Sequence, residues 1–315
     1  MDISKINDII NSQKDFLNKN SNTISSRILL LKKLLLNIKI FEDEIYEALS
    51  KDLRKAKFES FITEILLVEK EIKLFIKNLS KWSKYKKVKA SILNFPSKNY
   101  LKPEPYGKVL IITPWNYPFQ LSLTPLIGAF SSGNTVVIKP SELAPNTSSV
   151  LNRLIRETFP ENIVSVIQGD AEVSKSLLSK KWDYIFFTGS TRVGKIVASE
   201  AAKNLTPITL ELGGKSPCII DKGVNIEKAA KRIVSGKFIN CGQTCIAPDY
   251  ILVNDEIKSK LIDRLKIEIV KIYGNKPNQS NDYGRIISKN HVDRLIKIIN
   301  LTFNLSQKTN KFVVL

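Results

Sequence analysis

The sequence predicts an α/β protein: a helical opening, then a doubly wound parallel sheet, then a second α/β block. Three features predict it. From residue 108 onward, short apolar runs alternate with stretches of helical period. These runs, at 109–113, 135–139, 164–167 and 184–187, are largely apolar rather than alternating, as in strands buried on both faces of a parallel sheet. Finally, turn residues follow the first run as Pro114 to Pro118 and the fourth as Gly189-Ser190, at the strand ends where α/β folds gather their sites.

The elements follow in order. Apolar periodicity through Ile28, Leu29, Leu31, Leu34 and Leu35, then over 45–53, then over 61–82, predicts helices across the first ~90 residues. On the last of these, Lys70, Lys73, Lys77, Lys81 and Lys84 fall on one face, with Ile72, Phe75, Ile76, Leu79 and Trp82 opposite. Residues 94–107 interrupt the pattern with Pro96, Pro103 and Pro105. A second block begins near Leu210, with strands around 218–220 and 250–253 and helices at 226–238 and 256–273. A last amphipathic helix carries 286–299, and the tail 301–315 has no recognisable motif. The expected division is therefore 1–93 with 108–209, a separate 94–107 segment, a block at 210–300, and an unassigned 301–315.

Composition narrows the function. An apolar fraction of 43% in 315 residues supports globular cores and two packed units. No run approaches the ~18 apolar residues of a membrane span. Acidic Asp2 and Asp8, without an apolar stretch, argue against a signal peptide. Three cysteines, Cys218, Cys241 and Cys245, make no disulfide framework and suit a reducing cytoplasm. The net charge of +19 invites a nucleic-acid reading. Its densest part is nevertheless the solvated face of an amphipathic helix, with no accompanying binding motif, so no nucleic-acid partner is expected.

Four motifs carry chemistry. In Gly242-Gln243-Thr244-Cys245-Ile246, a glycine-containing loop after a helix lifts a cysteine where its thiolate can act as a nucleophile. An isolated cysteine is as readily a small buried hydrophobe, and packing is the reading for Cys241 and Cys218. Asn116, in Pro114-Trp115-Asn116-Tyr117-Pro118 after the Thr113 strand, offers an amide donor to a developing oxyanion, or serves simply as a turn residue. Glu211, before Leu212-Gly213-Gly214-Lys215, presents a carboxylate suited to activating water, or a solvated glutamate. Thr188-Gly189-Ser190 through Gly194 opens a helix whose amides favour phosphate, although the spacing departs from the usual dinucleotide fingerprint. Lys139-Pro140-Ser141-Glu142 follows another strand end. A single histidine, His291, lacks any motif around it and is read as a surface or capping residue; no metal site is expected.

Together, in order and approximate spacing, these motifs resemble the aldehyde dehydrogenase superfamily. The run Gly-Gln-Thr-Cys-Ile-Ala-Pro-Asp-Tyr at 242–250 is most similar to its class 3, fatty-aldehyde branch. The resemblance covers about 24–299. It implies an NAD(P)-binding domain followed by a catalytic domain, here incomplete, and oxidation of an aldehyde to a carboxylic acid. It implies Cys245 as nucleophile, Asn116 with the backbone N–H of Cys245 as oxyanion site, and Glu211 as the base that hydrolyses a thioester. It implies NAD or NADP held by Thr113, Pro114, Trp115, Lys139, Ser141, Glu142, Thr188, Gly189, Ser190, Gly194, Leu212 and Gly213. It also implies that 94–107 bridges subunits of a homo-oligomer. Family members continue past the point where this chain ends, through a Glu-x-Phe motif that holds the nicotinamide ribose. The alternative expectation is accordingly a nucleotide-binding relative with impaired catalysis.

Overall fold

The computed structural model describes residues 4–19 and 22–309; Asp2 and the last six residues of the tail lie outside them. The helical opening comprises α1 (Ser4–Asn18), α2 (Ile24–Ile40), α3 (Glu42–Leu53) and α4 (Lys57–Ser60). The last widens into a π-helical turn at Phe61–Ile65 and continues as α5 (Leu66–Trp82). Lys70, Lys73, Lys77 and Lys81 of α5, and Lys84 just beyond it, are exposed and Ile72 and Leu79 buried, as the periodicity requires. Trp82 departs from the pattern: at 46% exposed, it meets Phe75 edge-on instead of entering the core.

A two-stranded antiparallel ribbon follows, β1 (Lys86–Val88) against β2 (Asn99–Leu101), with Lys86 opposite Leu101. It begins before the expected 94–107 segment, because the lysine-rich 86–88 stretch is itself a strand. Its connection exposes Ile92, Leu93 and Phe95.

The central sheet holds five parallel strands in the order β5-β4-β3-β6-β7. They are β3 (Lys108–Ile112), β4 (Thr135–Lys139), β5 (Val164–Val166), β6 (Tyr184–Thr188) and β7 (Ile208–Glu211). Helices α6 (Gln120–Ser131), α7 (Pro145–Thr158), α8 (Ala171–Leu178) and α9 (Thr191–Ala202) connect them. Alternation along each strand feeds two cores. Val109, Ile111, Val136 and Ile138 pack with α2, α6 and α7 on one face. Leu110, Val137, Ile185 and Phe187 pack with Ile6, Leu177 and Val197 on the other. The chain moves outward from β3 to β5 and returns to β6 beside β3, so the topological switch lies between the C-terminal ends of β3 and β6. The expected boundary at 209/210 falls inside β7. That strand is an edge with mixed Ile-Thr-Leu-Glu character and only partial burial, so it lacks the apolar run that marked the other four.

In the second block β8 (Ser216–Ile220) and β9 (Pro248–Val253) form a parallel pair, connected through α10 (Ile226–Phe238). Cys218, Ile220, Ile251 and Val253 face Ala230, Val234, Leu261 and Leu265 of α10 and α11 (Asp255–Tyr273). The other face carries exposed Ile219, Tyr250 and Leu252. The last helix, α12 (Lys289–Thr309), starts after the expected 286 and takes in the first nine residues of the unassigned tail. No helix is long and apolar enough among the described residues to cross a membrane.

Candidate active site

Beyond α10 the chain makes a tight turn at Ile239–Gly242 in which Asn240 and Cys241 both take left-handed backbone angles (φ 55°), followed by Gly242 at φ 76°. Such angles cost a non-glycine residue about 1 kcal/mol or more, so the surroundings must impose them. Glu59 does so from α4, accepting the Asn240 N–H at 2.7 Å. Gln243 does so from within: its Nε2 donates to the carbonyls of Asn240 and Arg285, both at 3.0 Å, and its Oε1 accepts the Ile287 N–H at 3.0 Å. Two residues later Cys245 stands exposed, a free thiol at the crest of the loop. Cys241 is different. It is half-buried, and burial pushes its thiol pKa up, as it does for Cys218 in the core of the second block.

The turn after β3 meets this loop. Thr113 continues the sheet by donating to the Lys139 carbonyl at 3.1 Å, and its hydroxyl pairs with buried Ser122 at 2.9 Å. Asn116 Nδ2 then donates to the Gln243 carbonyl at 2.9 Å, and the Tyr117 hydroxyl pairs with Thr244 Oγ1 at 2.6 Å. Burial pushes the Tyr117 hydroxyl up to about 12, so it stays a neutral hydrogen-bonding group there. The helix that follows, α6, begins without a capping side chain of its own. Glu64, set in the π turn, caps it through the N–H groups of Phe119 (3.1 Å) and Gln120 (2.8 Å). The other Glu64 oxygen pairs with Lys55 Nζ at 2.6 Å, and both side chains are fully buried.

Glu211 ends β7 beside Thr188 of β6; its carbonyl accepts the Gly189 N–H at 2.9 Å while its side chain faces solvent. The Gly213-Gly214 turn then passes directly over the cysteine loop. A Cβ on Gly214 would lie 2.3 Å from the Cys245 carbonyl oxygen. Gly214→Ala is therefore expected to push the two loops apart. We expect a stability loss of about 1–3 kcal/mol and slower reaction of the Cys245 thiol with carbonyl reagents; thermal unfolding and thiol kinetics read both.

The remaining candidates line the switch point. Gly189 leaves no room for a side chain against the Phe187 ring (2.5 Å), and Gly194 none against Leu212 (2.7 Å). Ser190 caps α9 by accepting the Val193 N–H, and the first amides of that helix lack intrahelical acceptors, a setting suited to phosphate. Lys139 is almost wholly buried, and its Nζ donates to the Pro140 carbonyl (2.8 Å) and to half-exposed Glu142 (3.1 Å). Ser141 accepts the Leu143 N–H through its hydroxyl and turns the chain into α7. The open helix start at the strand ends suits a phosphate group.

His291 is not a free surface residue. Near the start of α12 it rests on the Trp115 ring with centroids 4.8 Å apart, and burial, then Arg294, holds its imidazole below the usual range. The sequence shows no trace of this because the contact spans the interval between β3 and α12. Asn240, Lys55, Glu59 and Glu64 also escape sequence reading. Lys55 lies in the short loop between α3 and α4, where a lysine reads as solvated, and the π turn shifts Glu64 out of the helical phase that periodicity assumes.

The chain matches the Aldehyde dehydrogenase family model over residues 4–308. It is 50% identical to the 4,4'-diaponeurosporen-aldehyde dehydrogenase of Staphylococcus aureus over 289 residues, covering 92% of this chain and 63% of that protein. It is 45% identical to aldehyde dehydrogenase family 3 member H1 of Arabidopsis thaliana, covering 87% and 57% respectively. A solved structure described as the substrate-bound state of Staphylococcus aureus AldH superposes with a TM-score of 0.91 at 49% identity, over 94% of this chain and 65% of that one. The chain thus spans about three-fifths of the length of these curated relatives.

Proposed function

The chain belongs to the aldehyde dehydrogenase family, with class 3 relatives, and from that premise we propose that it oxidises an aldehyde to a carboxylic acid with NAD or NADP. One observation carries the reading: two turns from distant stretches meet the backbone of the loop that carries one exposed thiol. Asn116 Nδ2 holds the carbonyl of Gln243, Gly214 lies against the carbonyl of Cys245, and Gly189 ties the Glu211 strand end to the switch point.

The chemistry follows from that convergence. Cys245 attacks as thiolate; a C–S bond forms and the carbonyl electron pair moves to oxygen. The Asn116 amide, aimed by its bond to Gln243, donates to that oxyanion, as does the backbone N–H of Cys245. NAD or NADP, when bound, would supply the hydride acceptor that oxidation of the adduct to a thioester requires. Glu211 then takes a proton from water as its oxygen attacks the thioester, the C–S bond breaks, and Cys245 leaves as thiolate with a free acid as product. Thr113, Pro114, Trp115, Leu212 and Gly213 would wall the nicotinamide end, Thr188, Gly189, Ser190 and Gly194 the phosphates, and Lys139, Ser141 and Glu142 the adenosine ribose. In the same proposal residues 1–93 with 108–211 make the nucleotide domain, 212–300 belong to the catalytic one, and the apolar ribbon connection serves contact between subunits of a homo-oligomer. A reducing, cytoplasmic setting keeps Cys245 free.

The test is cofactor reduction by the purified chain with a medium-chain aldehyde, beside a direct measurement of nucleotide binding. Turnover supports the reading. Saturable nucleotide binding without turnover supports instead a relative that retains only the cofactor site, and loss of both overturns the two.

A further inference from the structure

We propose that Asn240, backed by Lys55, is a positioning residue for the oxyanion donor Asn116; the inference rests on the function proposed above. Only one end of the Asn116 amide is tied. Its Nδ2 meets the Gln243 carbonyl at 2.9 Å, whereas its buried Oδ1 meets no donor among the described residues. The aim of the amide therefore depends on how firmly the Asn116 backbone is held, and two donors from separate segments hold it. Asn240 Nδ2 donates to the Asn116 carbonyl at 2.6 Å, and Lys55 Nζ reaches the same oxygen at 3.5 Å while lying 4.4 Å over the Tyr117 ring. Asn240 is 1% exposed and is itself pinned through its N–H by Glu59. It also accepts from Gln243, so a single residue couples the oxyanion turn to the cysteine loop.

The residue type supports this role. At φ 55° glycine would give the same turn without backbone strain. Asparagine tolerates that region better than most, and here it adds a buried donor directed at Asn116. The backing ion pair costs desolvation, which the Glu64 bonds to the start of α6 and the Lys55 contacts with the Asn116 turn help to offset.

The test separates positioning from simple support of the fold, and it needs no cofactor. With p-nitrophenyl acetate, Cys245 attacks the ester carbonyl and an oxyanion forms. Its collapse expels p-nitrophenolate, whose burst measures acylation. Iodoacetamide alkylates the same thiol by displacing iodide and builds no oxyanion; peptide mass spectrometry distinguishes Cys245 from Cys241. Asn240→Gly keeps the left-handed turn and its N–H bond to Glu59 but removes the donor to Asn116. It should slow the burst by about 10-fold or more while alkylation stays within about twofold. Lys55→Met with Glu64→Gln, which removes both buried charges yet leaves an acceptor for α6, should shift the ratio of the two rates in the same direction. Circular dichroism and thermal unfolding establish that each variant is folded. Should Asn240→Gly burst like wild type, or lose both rates together, positioning is overturned while the Cys245 reading stands. A wild-type chain without a burst, or Cys245→Ala with one, overturns the nucleophile and the inference with it.

Discussion

Cys245→Ala is expected to lower aldehyde oxidation by at least about 10⁴-fold, because it removes the only covalent route the site provides. The fold should be untouched. The thiol is exposed at the crest of its loop, and truncating a surface side chain of this kind changes stability by less than about 0.5 kcal/mol. Cys241 offers no substitute although it lies four residues away. It is half-buried in a left-handed turn, and burial raises its thiol pKa, so its thiolate is scarcer and less accessible. Cofactor reduction by mutant and wild type, with thermal unfolding of both, checks the claim. A mutant retaining more than about 1% of wild-type turnover would remove Cys245 from the nucleophile's role, since losing a covalent nucleophile costs far more than that.

The parts of this protein that the sequence announces are those whose physics is local. Buried strands must be apolar on both faces, so β3, β4, β5 and β6 stand out as runs, and the amphipathic α5 shows its lysine face by period alone. Edge strand β7 escapes because it is only partly buried and its residues are mixed. The four motifs are legible because each sits where a strand or helix ends and a turn must begin. Their convergence is not local, and the contacts that enforce it come from residues with no local signature. Glu59 and Glu64 read as ordinary helix glutamates, yet one fixes the cysteine turn and the other caps α6. His291 reads as a polar surface residue and rests on Trp115. A charge nine residues from its partner, across a π turn, gives no pattern that periodicity can detect.

Glu211→Gln is expected to separate the two halves of the reaction. The strand end that carries Glu211 is fixed by its backbone, through the Gly189 N–H and the pairing with Thr188, so exchanging the exposed carboxylate for an amide leaves the Cys245 loop and the nucleotide cradle in place. Attack by the thiolate and hydride loss require no base at 211; hydrolysis of the thioester does. Stopped-flow cofactor reduction should therefore show a first turnover of normal size, followed by a steady-state rate lower by about 10²–10⁴-fold. Adding a small thiol should restore turnover by accepting the acyl group in place of activated water, because thiol exchange at a thioester needs no carboxylate. If the burst and the steady state fall together, Glu211 acts before the thioester forms, as the group that deprotonates Cys245. If neither falls, another group activates the water. A retained burst with a slowed second phase is the one outcome that assigns Glu211 to hydrolysis, as expected of an exposed carboxylate held at the strand end.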